Sequence, residues 1–156
     1  MFIPFLYALR ERKVPVGTQE AVALAKALSL GLHEDSLDGF YYTARALLSL
    51  GPKYVLVKKG EHGSILFSER SIFLMPAYPL EEVQDPTGAG DTFAGGLMGV
   101  LASAGTVDEP TLRKAMVYGS VVASFGVEAF SLDRLQTLTL AQIETRAGRF
   151  RDMMRV

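Results

Sequence analysis

Between Asp85 and Gly96 the chain reads Asp85-Pro86-Thr87-Gly88-Ala89-Gly90-Asp91-Thr92-Phe93-Ala94-Gly95-Gly96, and no other stretch restricts the fold as much. Pro86 cannot continue a strand ladder, while Gly88 and Gly90 let the backbone turn tightly with its N–H groups unobstructed by side chains. From Thr92 onward Phe93, Ala94, Leu97, Met98, Val100, Leu101 and Ala102 form a mostly apolar run, which predicts a buried helix over Thr92–Ala104. A glycine-rich loop that feeds the positive end of a helix is a place for an anion, a phosphate above all.

Asp91 has two readings. An acid at a helix start serves as an N-cap. A loop built for anions would nonetheless avoid a carboxylate unless that carboxylate had chemistry to perform, and the suitable chemistry is accepting a proton from a hydroxyl that attacks a phosphoryl group. Two other phosphate motifs fail on spacing. A Walker loop requires G-x-x-x-x-G-K-[S/T], and no Lys follows the glycines of this segment. The dinucleotide fingerprint requires a further glycine where Phe93 stands.

The rest of the chain alternates in a way that suits an α/β sheet. Helices are expected over Thr18–Leu30, ended by Gly31, and over Ser36–Leu50, ended by Gly51-Pro52. Tyr54-Val55-Leu56-Val57 is a short unbroken apolar run of the kind a strand buried on both faces carries. Gly60-Glu61-His62-Gly63 turns the chain into Ser64–Phe67, and Ile72–Met75 adds a further extended piece, so these segments predict a hairpin at a sheet edge. Helices are also expected over Glu109–Phe125, with Pro110 in its first turn, and over Leu140–Met154. The Gly60-x-x-Gly63 pair alone is explained by a turn needing positive φ. Gly119-Ser120-Val121-Val122-Ala123-Ser124 is a small-residue helix face suited to close packing or to lying beneath a flat ring.

Composition narrows the function. A chain of 156 residues with 49% hydrophobic content suits a single globular domain. Its formal net charge of −1, with mixed signs, presents no basic face for nucleic acid or an anionic membrane. Without cysteine there is no disulfide, thiolate metal site or cysteine nucleophile, which fits a cytoplasmic location. His33 and His62 are too few for a histidine-rich metal site. The apolar start from Met1 to Leu9 precedes Arg10, Arg12 and Lys13, the reverse of a signal peptide, and Phe93–Gly105 is too short to span a membrane.

At Asp85–Met98 the chain resembles the PfkB, or ribokinase-like, family of carbohydrate and nucleoside kinases, whose C-terminal signature these residues match. The resemblance implies a ribokinase-like three-layer α/β/α fold, of which residues 1–156 are the C-terminal portion, a partial central sheet flanked by helices. It also implies ATP-dependent phosphoryl transfer to a sugar or nucleoside hydroxyl. In that family the acid at Asp91 is the base, and the backbone of Gly88, Ala89 and Gly90 is the anion hole. The positions of Asp85 and Thr87 often hold a monovalent cation, K+ in particular. The family's Val-x-x-Gly-x-x-Gly strand-turn lies against the nucleotide, and Lys58–Gly63 looks like that element, which puts Lys58, Gly60, Glu61 and Gly63 at the ATP. Gly119, Ser120 and Ala123 correspond to the helix beneath the adenine.

The family's Asn-x-x-Glu element helps to organise Mg2+ through water. Glu20 stands at the Glu position, although Gly17 replaces the Asn, and helix-start capping also explains this Glu. The resemblance covers only the C-terminal half of such kinases, and the sugar-binding residues and lid belong to the other half. The partners expected are therefore the sugar or nucleoside, a complementing N-terminal half, or a second copy in a homodimer. A nucleotide-binding or interaction module without catalysis, or an inactive truncated kinase, is the alternative.

Overall fold

The computed structural model describes residues 37–155. The helix expected over Thr18–Leu30, and Glu20 with it, lie outside the described residues. The elements run α1 (Leu37–Leu48), β1 (Tyr54–Lys58), a 3-10 turn (Gly60–His62), β2 (Ser64–Ser68), β3 (Ile72–Met75), α2 (Ala89–Ala104), α3 (Glu109–Gly126), the short α4 (Asp133–Gln136) and α5 (Leu140–Met153). The strands are hydrogen-bonded in the order β1-β2-β3. The connections between them are too short for a crossover, so both pairs are antiparallel. Of the described residues, 37–57 with 66–72 belong to one compact unit, and 58–65 with 73–155 to the other.

In the first unit α1 ends at Gly51, whose φ of 109° suits glycine alone. The Arg45 guanidinium donates to the Glu69 carbonyl at 3.4 Å. The β2–β3 turn is closed by the Ser68 N–H on the Ser71 carbonyl at 2.9 Å, with the two serine hydroxyls also 2.9 Å apart. Leu66 and Phe67 of β2 are buried, whereas Tyr54–Val57 of β1 are only half-buried. The unbroken apolar run over Tyr54–Val57 therefore does not mark a strand buried on both faces. β2, in the middle of the order, takes that place.

In the second unit α3 is the organising helix. Asp108 caps it, its carboxylate accepting the Thr111 N–H at 2.9 Å, and Pro110 occupies its first turn. Met116, Val121 and Phe125 bury its inner face, each worth about 1.5–3 kcal/mol relative to exposure. α5 starts with a capping box between Thr139 and Gln142 and contributes buried Ala147 and Phe150. α2 begins at Ala89, three residues earlier than its apolar run suggests, and within it only Phe93 is buried. The expectation of a buried helix fails because α2 has one packed face, pressed on α3 where both helices carry glycine. A Cβ on Gly96 would stand 3.1 Å from the Gly119 Cα, and one on Gly119 would stand 2.8 Å from the Phe93 carbonyl oxygen. Met98, on the other side, is 59% exposed. Among the described residues no helix is long and apolar enough to cross a membrane.

Candidate active site

The segment that opens the argument folds as a turn leading straight into α2. The Ala89 N–H bonds the Pro86 carbonyl at 3.2 Å, and Gly88 sits at φ 78°, ψ −1°, the left-handed conformation the third residue of such a turn requires. The Asp85 carboxylate accepts the Thr87 N–H at 2.9 Å and fixes the entry. The first helical bond is the Thr92 N–H to the Gly88 carbonyl at 2.9 Å. Of the residues expected to form the anion hole, Ala89 therefore spends its N–H inside the turn. The N–H groups of Gly88, Gly90 and Asp91 bond to no backbone carbonyl among the described residues. Unpaired N–H groups at a helix start are the donors an anion uses.

Asp91 is the third residue of α2 and is exposed. Gly88 holds the N-cap position, so Asp91 is not the cap. No hydrogen bond or ion pair engages its carboxylate among the described residues. Beside it, the Lys58 ammonium donates to the Gly90 carbonyl at 2.9 Å across 32 residues of sequence. That bond brings a cation to the same turn of helix and ties the end of β1 to it. An ammonium has three donors, so one bond leaves others for a ligand.

The Gly60–Gly63 hairpin forms the next wall. Gly60 and Gly63 have φ of 58° and 85°, and the Lys59 N–H bonds the Gly63 carbonyl at 2.8 Å. A Cβ on Gly63 would collide with the Met75 carbonyl oxygen and lie 2.6 Å from the Pro76 carbonyl carbon, so the hairpin crosses directly over the start of the strap Pro76–Leu80. The strap is pinned by the Tyr78 N–H on the Ser120 hydroxyl at 3.1 Å.

Hairpin, strap, the start of α2 and one face of α3 enclose a groove of about 890 Å³. Lys58, Gly60, Glu61, Gly63, Ala89, Gly90, Ser120 and Ala123 all line it. Gly119 does not, because it faces Phe93 across the α2–α3 contact. The small-residue face of α3 thus divides, with Gly119 serving packing and Ser120 and Ala123 serving the groove. Tyr78, Leu80, Phe93 and Val127 supply apolar wall that the sequence did not single out. Only the two prolines at positions 76 and 79 hint at a strap.

Asp85 lies behind the turn. Hydrogen bonds from Thr87, side chain first and backbone second, hold its carboxyl below the usual carboxylate range against a smaller opposing effect of burial, and the Ser131 backbone adds a minor contribution. Ser131 itself is held at φ 55°. The Val127 carbonyl accepts the N–H groups of Gln84 at 2.9 Å and Asp85 at 3.3 Å, which locks this loop to the end of α3. Among the described residues no group of three or more His, Cys, Asp or Glu is placed to hold a metal ion.

The model of the pfkB family of carbohydrate kinases matches residues 16–136. The chain is 30% identical over 132 residues, 84% of its length, to a 5-dehydro-2-deoxygluconokinase of Geobacillus kaustophilus, and 44% identical over 57 residues, 35% of its length, to a cytidine kinase of Thermococcus kodakarensis; it covers 36% and 20% of those proteins. Among solved structures, aminoimidazole riboside kinase from Salmonella enterica, complexed with aminoimidazole riboside and an ATP analogue, superposes with a TM-score of 0.63 at 26% identity. That match covers 80% of this chain and 40% of the kinase. Ribokinase from Arabidopsis thaliana shares the fold with a TM-score of 0.61 at 24% identity, over 72% of this chain and 35% of that one. The chain spans between a fifth and two fifths of these relatives, and within that span it has their ribokinase-like α/β fold. On the family match over residues 16–136, this chain belongs to the pfkB family of carbohydrate kinases.

Proposed function

We propose that this chain is the nucleotide-binding and phosphoryl-transferring part of an ATP-dependent kinase whose acceptor is a hydroxyl of a sugar or nucleoside. The observation that carries the reading is what gathers at the start of α2, where Lys58 and Gly90 line the groove: the Lys58 ammonium on the Gly90 carbonyl, the N–H groups of Gly88, Gly90 and Asp91 that bond to no backbone carbonyl among the described residues, and the free carboxylate of Asp91, which, like Gly88, adjoins Gly90 or its turn without lining the groove itself. A transferring phosphoryl group needs donors where charge accumulates and an acceptor for the hydroxyl proton. The groove is large and apolar enough away from that end to take a nucleoside, with Ser120 and Ala123 as floor and Tyr78 and Val127 as wall.

Asp91 takes the proton from the attacking hydroxyl, the α2 amides hold the phosphoryl oxygens, and Lys58 adds charge beside them. Magnesium fits this site in its usual manner, held largely by the nucleotide phosphates, since the described residues supply no carboxylate cluster of their own. Glu20 is the proposed contact to it through water. The ionised Asp85 carboxylate and the Thr87 carbonyl are an oxygen donor set suited to a monovalent cation such as K+. The acceptor pocket belongs to the part of the kinase beyond the span this chain shares with its relatives. The exposed side of α2 around Met98 suits a contact with that part. That same exposure also favours a second reading, a nucleotide-binding module that turns over only when covered.

Calorimetric titration of the folded chain with magnesium and a non-hydrolysable ATP analogue tests the proposal. Saturable binding that is lost on changing Gly90 to a bulky residue supports it, and a soluble, folded chain that binds no nucleotide overturns it.

A further inference from the structure

On the side of α3 away from Gly119, Phe125 forms the floor of a second cleft, about 360 Å³ in volume, between the end of α3, α4 and α5. Its polar lining is Arg134, Arg146, Arg149, Gln142 and Thr145, with no acid among the lining residues. The Arg146 guanidinium lies 3.4 Å from the Phe125 ring centre and that of Arg134 lies 5.0 Å from it. Glu128, outside the lining, pairs with both, at 2.6 Å to Arg146 and 3.6 Å to Arg134. One carboxylate therefore answers three guanidiniums, and Arg149 makes no ion pair among the described residues.

Packing alone does not call for this arrangement. A single arginine on Glu128 and Phe125 would join α5 to α3, and each added guanidinium brings like-charge repulsion that a bound anion relieves. The two partnered arginines are also held in place before any ligand arrives, Arg146 by Glu128, by Phe125 and by the Ser124 hydroxyl at 2.9 Å. A preorganised planar fork matches the oxygens of a phosphate. Gln142 adds a neutral donor. Its side-chain oxygen accepts the Thr139 N–H at 3.0 Å in the capping box, which leaves its amide N–H groups for the cleft. Thr145 donates to the Ala141 carbonyl at 2.8 Å and so offers the cleft an acceptor, enough for one hydroxyl of a ligand body.

We propose that this cleft is a second ligand site, separate from the groove, that binds the phosphate group of a small phosphomonoester. Arg149 and Arg134 grip the phosphate from the open side, Arg146 backs it, and Gln142 and Thr145 meet the part of the molecule that bears it. The site does not depend on the kinase reading.

The test is a titration of the 15N-labelled full chain with inorganic phosphate and with glycerol 3-phosphate, following the arginine Nε–Hε signals, with sodium chloride at matched ionic strength as a third arm. Saturable shifts of Arg134 and Arg149 that chloride does not reproduce support the site. Tighter binding of glycerol 3-phosphate identifies the ester as the ligand, and equal binding identifies free phosphate; the site stands in both cases. Arg149→Gln, at an exposed position, should weaken binding about tenfold with an unchanged melting temperature, and Arg134→Gln should do the same if Arg149→Gln folds poorly. Shifts at the Gly90 amide report phosphate at the α2 turn and separate the two events. Absence of saturation, an equal response to chloride, or unchanged affinity in both variants overturns the proposal.

Discussion

Gly96 and Gly119 stand face to face, so close that a Cβ on Gly96 would lie 3.1 Å from the Gly119 Cα. The contact sets how near α2 comes to α3, and with it where Ala89 and Gly90 at the start of α2 lie relative to Ser120 and Ala123 across the groove. Gly119→Ala would push a methyl to 2.8 Å from the Phe93 carbonyl oxygen, which is backbone and cannot rotate away. We expect a loss of about 1–3 kcal/mol in urea unfolding. Gly99→Ala meets nothing within 4 Å and should instead gain up to about 1 kcal/mol from helix propensity. Equal melting temperatures for the two variants would refute the packing argument.

Asp91→Asn keeps the shape of the helix start and removes the proton acceptor. In an active assembly kcat should fall by about 10²-fold to 10⁴-fold while ATP affinity stays within about a few-fold. Retention of most of the rate would remove Asp91 from the role of base.

Lys58→Met deletes the ammonium at Gly90 and keeps the apolar stem. On the proposed reading, affinity for an ATP analogue should drop by about tenfold or more while affinity for AMP changes little, because the charge lies at the start of α2, on the Gly90 carbonyl. Lys58→Arg should restore part of the difference. A uniform loss for both nucleotides would mean that Lys58 only braces the turn.

The Asp85 carboxyl titrates below its ordinary value in the folded chain, chiefly through Thr87. A depressed folded pKa stabilises above the unfolded pKa, here the ordinary carboxylate value of 3.8, and that stabilisation is lost as pH falls through the folded value. The melting-temperature gap between the wild type and Asp85→Ala should therefore be constant near neutral pH and close only below about pH 4. A gap that closes between pH 5 and 7 would point to a different group. Asp108, also depressed by its cap to Thr111, gives the wild type a similar acid slope, which the difference between variants cancels.

The turn before α2, the hairpin, and α2, α3 and α5 could be read in advance, because each depends on neighbours in sequence: Gly88 on its own φ, Asp108 and Thr139 on caps within the same helix. Burial could not be read that way. Tyr54–Val57 and α2 are as apolar as buried elements, yet their exposure depends on which distant surface covers them. The short α4 carries no periodicity to find. The groove's apolar wall was hidden for the same reason. Tyr78 enters it through a bond to Ser120, 42 residues away, and nothing local to either residue announces the pairing. Gly119 illustrates the converse, since a stripe of small residues is legible but which of them meets a ligand and which meets a helix is settled only by the α2–α3 approach.

The Val127 carbonyl has a further consequence. It takes the N–H groups of both Gln84 and Asp85, and its residue is also part of the groove's far wall. One oxygen atom thus joins a residue of the groove's lining to the segment that leads into the turn before α2. A displacement of Val127 would therefore pull on Gln84 and Asp85, the residues that lead into the turn at Gly88, through backbone hydrogen bonds alone.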